Sequence, residues 1–315
     1  MRRLLIGLVL LASAGTAQAA TDVAMVLGVY AGDRAGPETD TDANAMADFL
    51  GGTIEEAGAR VAAVQQPDLS DDEQRQYGRW NRFGLVMGHL ADQVAENHRA
   101  GVFNLGLYNN CTSSLGMLGG LRHAGEAPLR VGMVWIDAHG DYNTPETTLS
   151  GMLGGMPVAI AAGDGLHRMR EQSRLDRPLE RDELLMVAVR DTDRLEQERI
   201  DAHGLAGLST EDLRHPDRVD AAMTRLAEEV DLIYVHIDLD VLDPAEVPGH
   251  PLTAPDGPTS AELGAALTRM FLHEKSVALG LASYPHTADP DGVSRRAVQR
   301  LVADALAGVE ARAPR

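Results

Sequence analysis

The chain has 315 residues, of which 44% are hydrophobic and 24% charged, enough to bury the core of one large α/β domain and too apolar for wholesale disorder. Lys and Arg total 28 against 47 Asp and Glu, a formal net charge of −19. That balance disfavours nucleic acid and anionic membranes, which need clustered positive charge, and it suits metal ions or a small cationic molecule, or solubility alone.

In chain order, Arg2 and Arg3 precede an apolar run over residues 4–14, and Ala17-Gln18-Ala19 follows with a small-x-small pattern. This is the layout of a cleaved export signal over residues 1–19, and it predicts a mature chain starting near Ala20, periplasmic or secreted. The run is too short for a comfortable membrane span. Residues 20–315 then read as a single domain. The one cysteine, Cys111, excludes an intramolecular disulfide.

Short apolar runs over residues 23–30, 102–108, 131–137, 184–190, 232–238 and 276–284 read as strands. Those at 131–137 (VGMVWID) and 232–238 (LIYVHID) are continuous and β-branched, as strands buried on both faces are. Between them Met223, Leu226, Ala227 and Val230 recur at helical spacing. Thr259 and Glu262 form a capping box ahead of Leu263, Leu267, Met270 and Phe271. Val298, Leu301, Val302, Ala305 and Leu306 line one face of a last helix. Strand followed by helix, repeated, predicts parallel strands with crossover helices, and ligands beyond the carboxyl ends of the strands.

Two of the apolar strands end in dense acid. One continues Asp137-Ala138-His139-Gly140-Asp141; the other continues Asp238-Leu239-Asp240-Val241-Leu242-Asp243. Residues two apart in an extended chain face the same way, so Asp137 pairs with His139 and Asp238 with Asp240. Carboxylates crowded at the ends of core strands repel one another and are costly to desolvate, and divalent cations remove that cost. Carboxylates with one imidazole suit Mn²⁺ best, with Zn²⁺ or Fe²⁺ open. Shared carboxylates can hold two such ions about 3.5–4 Å apart.

The stretches WIDAHGDYNTPETTLSG and HIDLDVLDP resemble metal-binding motifs of the arginase, agmatinase and formiminoglutamase (ureohydrolase) family, and the order of elements extends the resemblance over nearly the whole mature chain. The resemblance implies an α/β fold with three α/β/α layers around a mainly parallel sheet. It also implies a dinuclear metal centre, most often manganese, and hydrolysis of a linear C–N bond in an amidino or guanidino substrate by a hydroxide shared between the ions. Carried over by position, Asp137 and Asp238 bridge the ions, His139 and Asp240 complete one shell, and Asp141 completes the other and orients the hydroxide. Asn143, Ser150 and, more weakly, Asp193 match positions that contact the amino-acid end of a substrate. Relatives are commonly homo-oligomers.

The chain also departs from the pattern. Where the family has Gly-Gly-Asp-His-Ser, Tyr108-Asn109-Asn110-Cys111-Thr112 stands, so Cys111 takes the place of a histidine ligand. A thiolate there would favour softer ions; the alternative is a buried packing residue. Met152 and Gly154 replace a polar residue and the proton-carrying histidine. The late stretch Ala282-Ser283-Tyr284-Pro285-His286 lacks the acid that grips a guanidinium. His286 is the first candidate for a substitute proton carrier, ahead of His123, His236 and His250. Two other readings stay open: an idle binding protein on the same fold, and an amide hydrolase.

Overall fold

A computed structural model describes residues 20–30 and 42–312; the expected export signal over 1–19 lies outside them. The chain runs β1 (Asp22–Gly28), α1 (Asp42–Glu56), β2 (Arg60–Gln65), α2 (Asp71–Gln74), α3 (Arg79–Arg99), β3 (Phe103–Tyr108), α4 (Ser114–Arg122), β4 (Val131–Ile136), α5 (Pro157–Ala161), α6 (His167–Gln172), β5 (Leu184–Val187), α7 (Arg194–His203), β6 (Ala206–Leu208), α8 (Pro216–Glu229), β7 (Leu232–Asp238), α9 (Ser260–Leu272), β8 (Ser276–Ala282) and α10 (Val293–Glu310). The strands form one sheet in the order β2-β1-β3-β8-β7-β4-β5-β6. Every pairing in it is parallel.

Alternation along the strands builds two cores. Met25 and Leu27, Val134 and Ile136, Val235 and Ile237, and Leu279 and Leu281 pack under α1, α8, α9 and α10. Val26, Met133, Trp135, Tyr234 and Ala278 pack on the opposite face under α3, α4, α5 and α6. Three α/β/α layers result, as predicted, because each strand is apolar on both sides and both sides must be covered.

The strand ends differ from the sequence expectation for a local reason. The strand expected over 184–190 stops at Val187, where Ala188 takes φ +61, and the one expected to 284 stops at Ala282, where Ser283 takes φ +64. Left-handed residues cannot continue a strand. β2 and β6 were not anticipated. They are the sheet's two edges; β2 alternates exposed with half-buried residues and β6 has three residues, so neither carries a strong apolar signal.

β3 and β4 are consecutive in this set of central strands, yet β8 and β7 lie between them in the sheet. Such a switch in strand order opens a crevice at the carboxyl rim. The ends of β3, β8, β7 and β4 therefore meet at one place.

The turn after β3 is held by α4, which packs unusually close to its neighbours. A Cβ at Gly120 would lie 2.5 Å from the Ala91 carbonyl oxygen, and one at Gly119 would lie 1.8 Å from the Ser173 carbonyl oxygen. Alanine is the better helix former by about 1 kcal/mol, but here it would collide with backbone. Gly119→Ala is expected to destabilise the fold by about 2 kcal/mol through overpacking, read by urea denaturation; unchanged or raised stability would rule out this packing.

Candidate metal centre

A cavity of about 480 Å³ opens at the rim above these four strand ends. Its lining includes Asp137 and Asp141 after β4, Asp238 at the end of β7 and Asp240 just beyond it, Cys111 after β3 and Ser283 after β8. Asp137, Asp238 and Asp240 are all but buried.

Each acid is placed by a tight local turn. The Asp137 carboxylate accepts the backbone N–H of His139 at 2.7 Å, and the Asp238 carboxylate accepts that of Asp240 at 2.9 Å. These are Asx turns, in which a side chain bonds the backbone two residues on. The expected pairing of Asp238 with Asp240 is present, but strand alternation does not produce it: Asp240 sits in a 3₁₀ turn, Leu239–Val241. His139 lies 3.3 Å from Asp137 and 3.2 Å from Asp240 through Nδ1. Asp141 holds φ +46, an unfavourable value for a residue with a Cβ. Its carbonyl accepts the N–H groups of Val158 and Ala159 and so ties the motif to α5.

Cys111 follows Asn110, whose side chain accepts the Thr112 N–H at 3.0 Å and caps the short turn Cys111–Ser113. The thiol donates to Asp238 Oδ2 at 2.7 Å, and Ser283 Oγ donates to the same oxygen at 2.6 Å. The structure thus sets Cys111, buried at the edge of the core, against the acid cluster. Ser283 was missed from the sequence, since a lone serine after a strand carries no signal of its own.

Three sets of ligand atoms each lie within 4.8 Å of one another: Cys111, Asp137 and Asp238; Asp137, His139 and Asp240; Asp238, Asp240 and His250. Asp137, Asp238 and Asp240 each belong to two sets, which is the arrangement shared ligands require. None of the three sets contains Asp141, which lines the same cavity.

The protonation energetics are those of a site built for cations. Burial, then repulsion from Asp137 and Asp238, holds Asp141 well above the usual carboxylate range. Burial and Asp238 likewise raise Asp137, and burial and Asp240 raise Asp238. Burial and Asp137 push Asp240 up to about 6. The Cys111 thiol is pushed up by burial and then by Asp238, Asp141 and Asp137. Burial pulls His139 down, but its bonds to Asp137 and Asp240 outweigh that and raise it to about 12. The donor set of carboxylates, one imidazole and one thiol fits divalent transition metals.

The model of the Arginase family matches residues 29–308. The chain belongs to the arginase family. It is 29% identical over 179 residues to an arginase of Entamoeba histolytica, covering 56% of this chain and 60% of that one. It is 32% identical over 166 residues to an arginase of Bacillus caldovelox, covering 50% and 52%. The matches thus span a little over half the length of these curated relatives. The crystal structure of arginase from Bacillus cereus superposes with a TM-score of 0.78 at 20% identity, covering 91% of this chain and 98% of that one, which shows a common fold.

Within this arginase-family frame the remaining predicted residues can be placed. Asn143, Ser150 and Asp193 all line the cavity. Gly154 also lines it, and a Cβ there would lie 2.7 Å from Asn110 Nδ2; the Asn110 amide occupies the space that a histidine at 154 would need. His286 bonds Asp42 through Nδ1 at 2.5 Å and is not among the residues lining the cavity. His236 is fully buried, stacked on Trp135 at 4.2 Å, bonded to the Tyr234 hydroxyl at 2.8 Å and lowered to about 3 by burial; it stays in the core. His123 contacts the Arg174 carbonyl at 2.9 Å. His250 does line the cavity. Its Nδ1 accepts the Leu252 N–H at 3.2 Å.

The raised groups set the pH dependence of the metal-free protein. An acid raised from 3.8 to about 6 binds more protons folded than unfolded between those values, so stability falls as pH rises through that window. For one carboxylate the shift corresponds to about 3 kcal/mol. His139, raised above its unfolded value, stabilises fully below about 6.5 and loses that contribution toward 12, in the same direction. Stripped of metal, the protein is expected to melt higher at pH 5 than at pH 7.5 in differential scanning calorimetry. Added Mn²⁺ or Zn²⁺ should restore the pH 7.5 value, with proton release visible as a buffer-dependent binding enthalpy.

Proposed function

We propose that the protein is a metal-dependent hydrolase that cleaves a linear C–N bond in a small cationic amidino or guanidino substrate. The observation that carries this reading is the set of ligand groups sharing Asp137, Asp238 and Asp240 on the floor of one cavity. Family membership supports it.

Cys111, Asp137, Asp141 and Asp238 would hold one ion, and Asp137, His139, Asp238 and Asp240 the other. When bound, a pair of divalent ions supplies Lewis acidity and a water activated near neutral pH. The protein's share of the chemistry is placement. Ser283 holds Asp238 by donating to Oδ2, the two Asx turns hold Asp137 and Asp238, and Asp141 stands at the cavity face, where its carboxylate can accept a proton from the attacking water. The thiol at Cys111 must lose its proton to bind, which favours Zn²⁺ or Fe²⁺ at that position more than an all-carboxylate and imidazole site would, with Mn²⁺ the alternative.

A second reading, a binding protein on this fold, draws on Gly154, where Asn110 fills the place of the family's proton carrier. Metal analysis and turnover separate the two. Asp238→Ala is expected to lose both ions, Cys111→Ser to weaken one by at least tenfold, and both to abolish or cut urea or amine release from guanidino compounds. Full metal loading in the Asp238 variant would contradict the shared-ligand assignment. Two bound ions with no turnover of any amidino compound would favour the binding protein.

We also propose that the chain is exported, on the pattern of residues 1–19. Intact mass of the protein recovered from its native cell should show a start near Ala20; a chain retaining residues 1–19 would overturn this.

A further inference from the structure

The cavity lining includes polar side chains beyond the acids and a few apolar ones, and the polar ones already make hydrogen bonds. Asn143 Nδ2 donates to Asp193 Oδ2 at 3.1 Å, and Thr147 Oγ1 donates to Asn143 Oδ1 at 3.0 Å. Asp193 also caps α7. Ser150 Oγ accepts the Met152 N–H at 3.2 Å. Of the three side chains expected to take an amino-acid end, Asn143 and Asp193 are thus bonded to each other and Ser150 to its own turn.

Met152, Pro251 and Leu252 are apolar residues of the same lining. Met152 and Leu252 are large apolar side chains left 40% and 49% exposed. Leu149, 82% exposed, lies one residue before the lining Ser150. The segment carrying Pro251 and Leu252 is pinned at both ends. A Cβ at Gly249, which holds φ +84, would lie 2.8 Å from Ala288 Cβ, and one at Gly257 would lie 2.5 Å from the Val241 carbonyl oxygen. Exposed apolar residues lining a cavity are a surface that a ligand covers.

Charge disfavours one alternative, an anionic tail. The described lining residues include eight carboxylates, Asp42, Asp191 and Glu196 among them, and neither Lys nor Arg. A carboxylate on the substrate would meet repulsion without a cation to pair with.

We infer that the substrate is an amidino or guanidino compound with an uncharged apolar tail, the head toward the ions and the tail on Met152, Pro251 and Leu252. This rests on the hydrolase reading for the head and on these apolar residues for the tail.

The test uses the full-length protein loaded with Mn²⁺ and four probes: pentylguanidine, agmatine, 4-guanidinobutyrate and arginine. Equilibrium binding is read by calorimetry and product release in parallel. Pentylguanidine is expected to bind at least tenfold tighter than 4-guanidinobutyrate and arginine and no weaker than agmatine, with a negative heat-capacity change. Each methylene resting on these residues should contribute roughly fourfold. Leu252→Ser and Met152→Ser should each cut the preference for pentylguanidine over 4-guanidinobutyrate about tenfold. Tighter binding of arginine, 4-guanidinobutyrate or agmatine, or an unchanged preference in both variants, would overturn the inference while leaving the hydrolase reading intact if product is released. Tight pentylguanidine binding without product from any probe would sink the hydrolase reading and leave the apolar tail standing. Failure of all four to bind would overturn both.

Discussion

Repulsion among buried carboxylates is the constraint around which this structure is arranged. Asp137, Asp141, Asp238 and Asp240 sit within one small volume at the rim of the sheet, and each is harder to ionise because of burial and the others. Without cations, the cluster can relieve that repulsion only by taking up protons, by borrowing the imidazolium of His139, and by accepting hydrogen bonds from Cys111 and Ser283. Divalent ions would replace all of these at once. The same groups that make the metal-free state costly are therefore the groups that make metal binding favourable, and stability, affinity and chemistry are linked through one set of side chains.

The sheet supplies the rigidity such a cluster needs. Its four central strands are buried on both faces, and the acids extend directly from two of them, so their backbones cannot drift apart to relieve charge. The layer beneath is aromatic and tightly packed: Trp135 and His236 stack, and Gly106 and Gly280 leave room for the hydroxyls of Tyr108 and Tyr234, which would otherwise lie 1.9 and 2.1 Å from a Cβ. That floor seals the site from the core side and leaves the cavity as the open approach among the described residues.

On the proposed reading, specificity is set by segments that the metal motifs do not include. The loop from Gly249 to Gly257 carries both His250, which faces the acids, and Leu252, which faces the cavity's mouth. Asn143, Ser150 and Asp193 take part in capping and turn contacts. Metal ligands and the rest of the lining come from different loops, which is what lets the proposed reacting group be kept while the rest of a substrate changes.

Much of this was legible in the sequence, for a local reason. Continuous apolar runs ending in Asp137 and Asp238 reveal buried parallel strands and the acids at their ends, because strand burial and turn chemistry are both written within a few neighbouring residues. The family resemblance then placed Cys111 opposite them. What the sequence could not decide were contacts between segments far apart in the chain. The bond of Ser283 to Asp238, the seating of Asn110 over Gly154, the pairing of His286 with Asp42, and the reach of His250 to Asp238 and Asp240 each depend on which strand ends the topology brings side by side. The edge strands β2 and β6 stayed hidden because half-exposed pairing leaves little apolar pattern. Local chemistry thus determined which groups gather at the rim; only the packed sheet, which fixes distances between remote segments, decided which of them face the cavity and which are held in the wall.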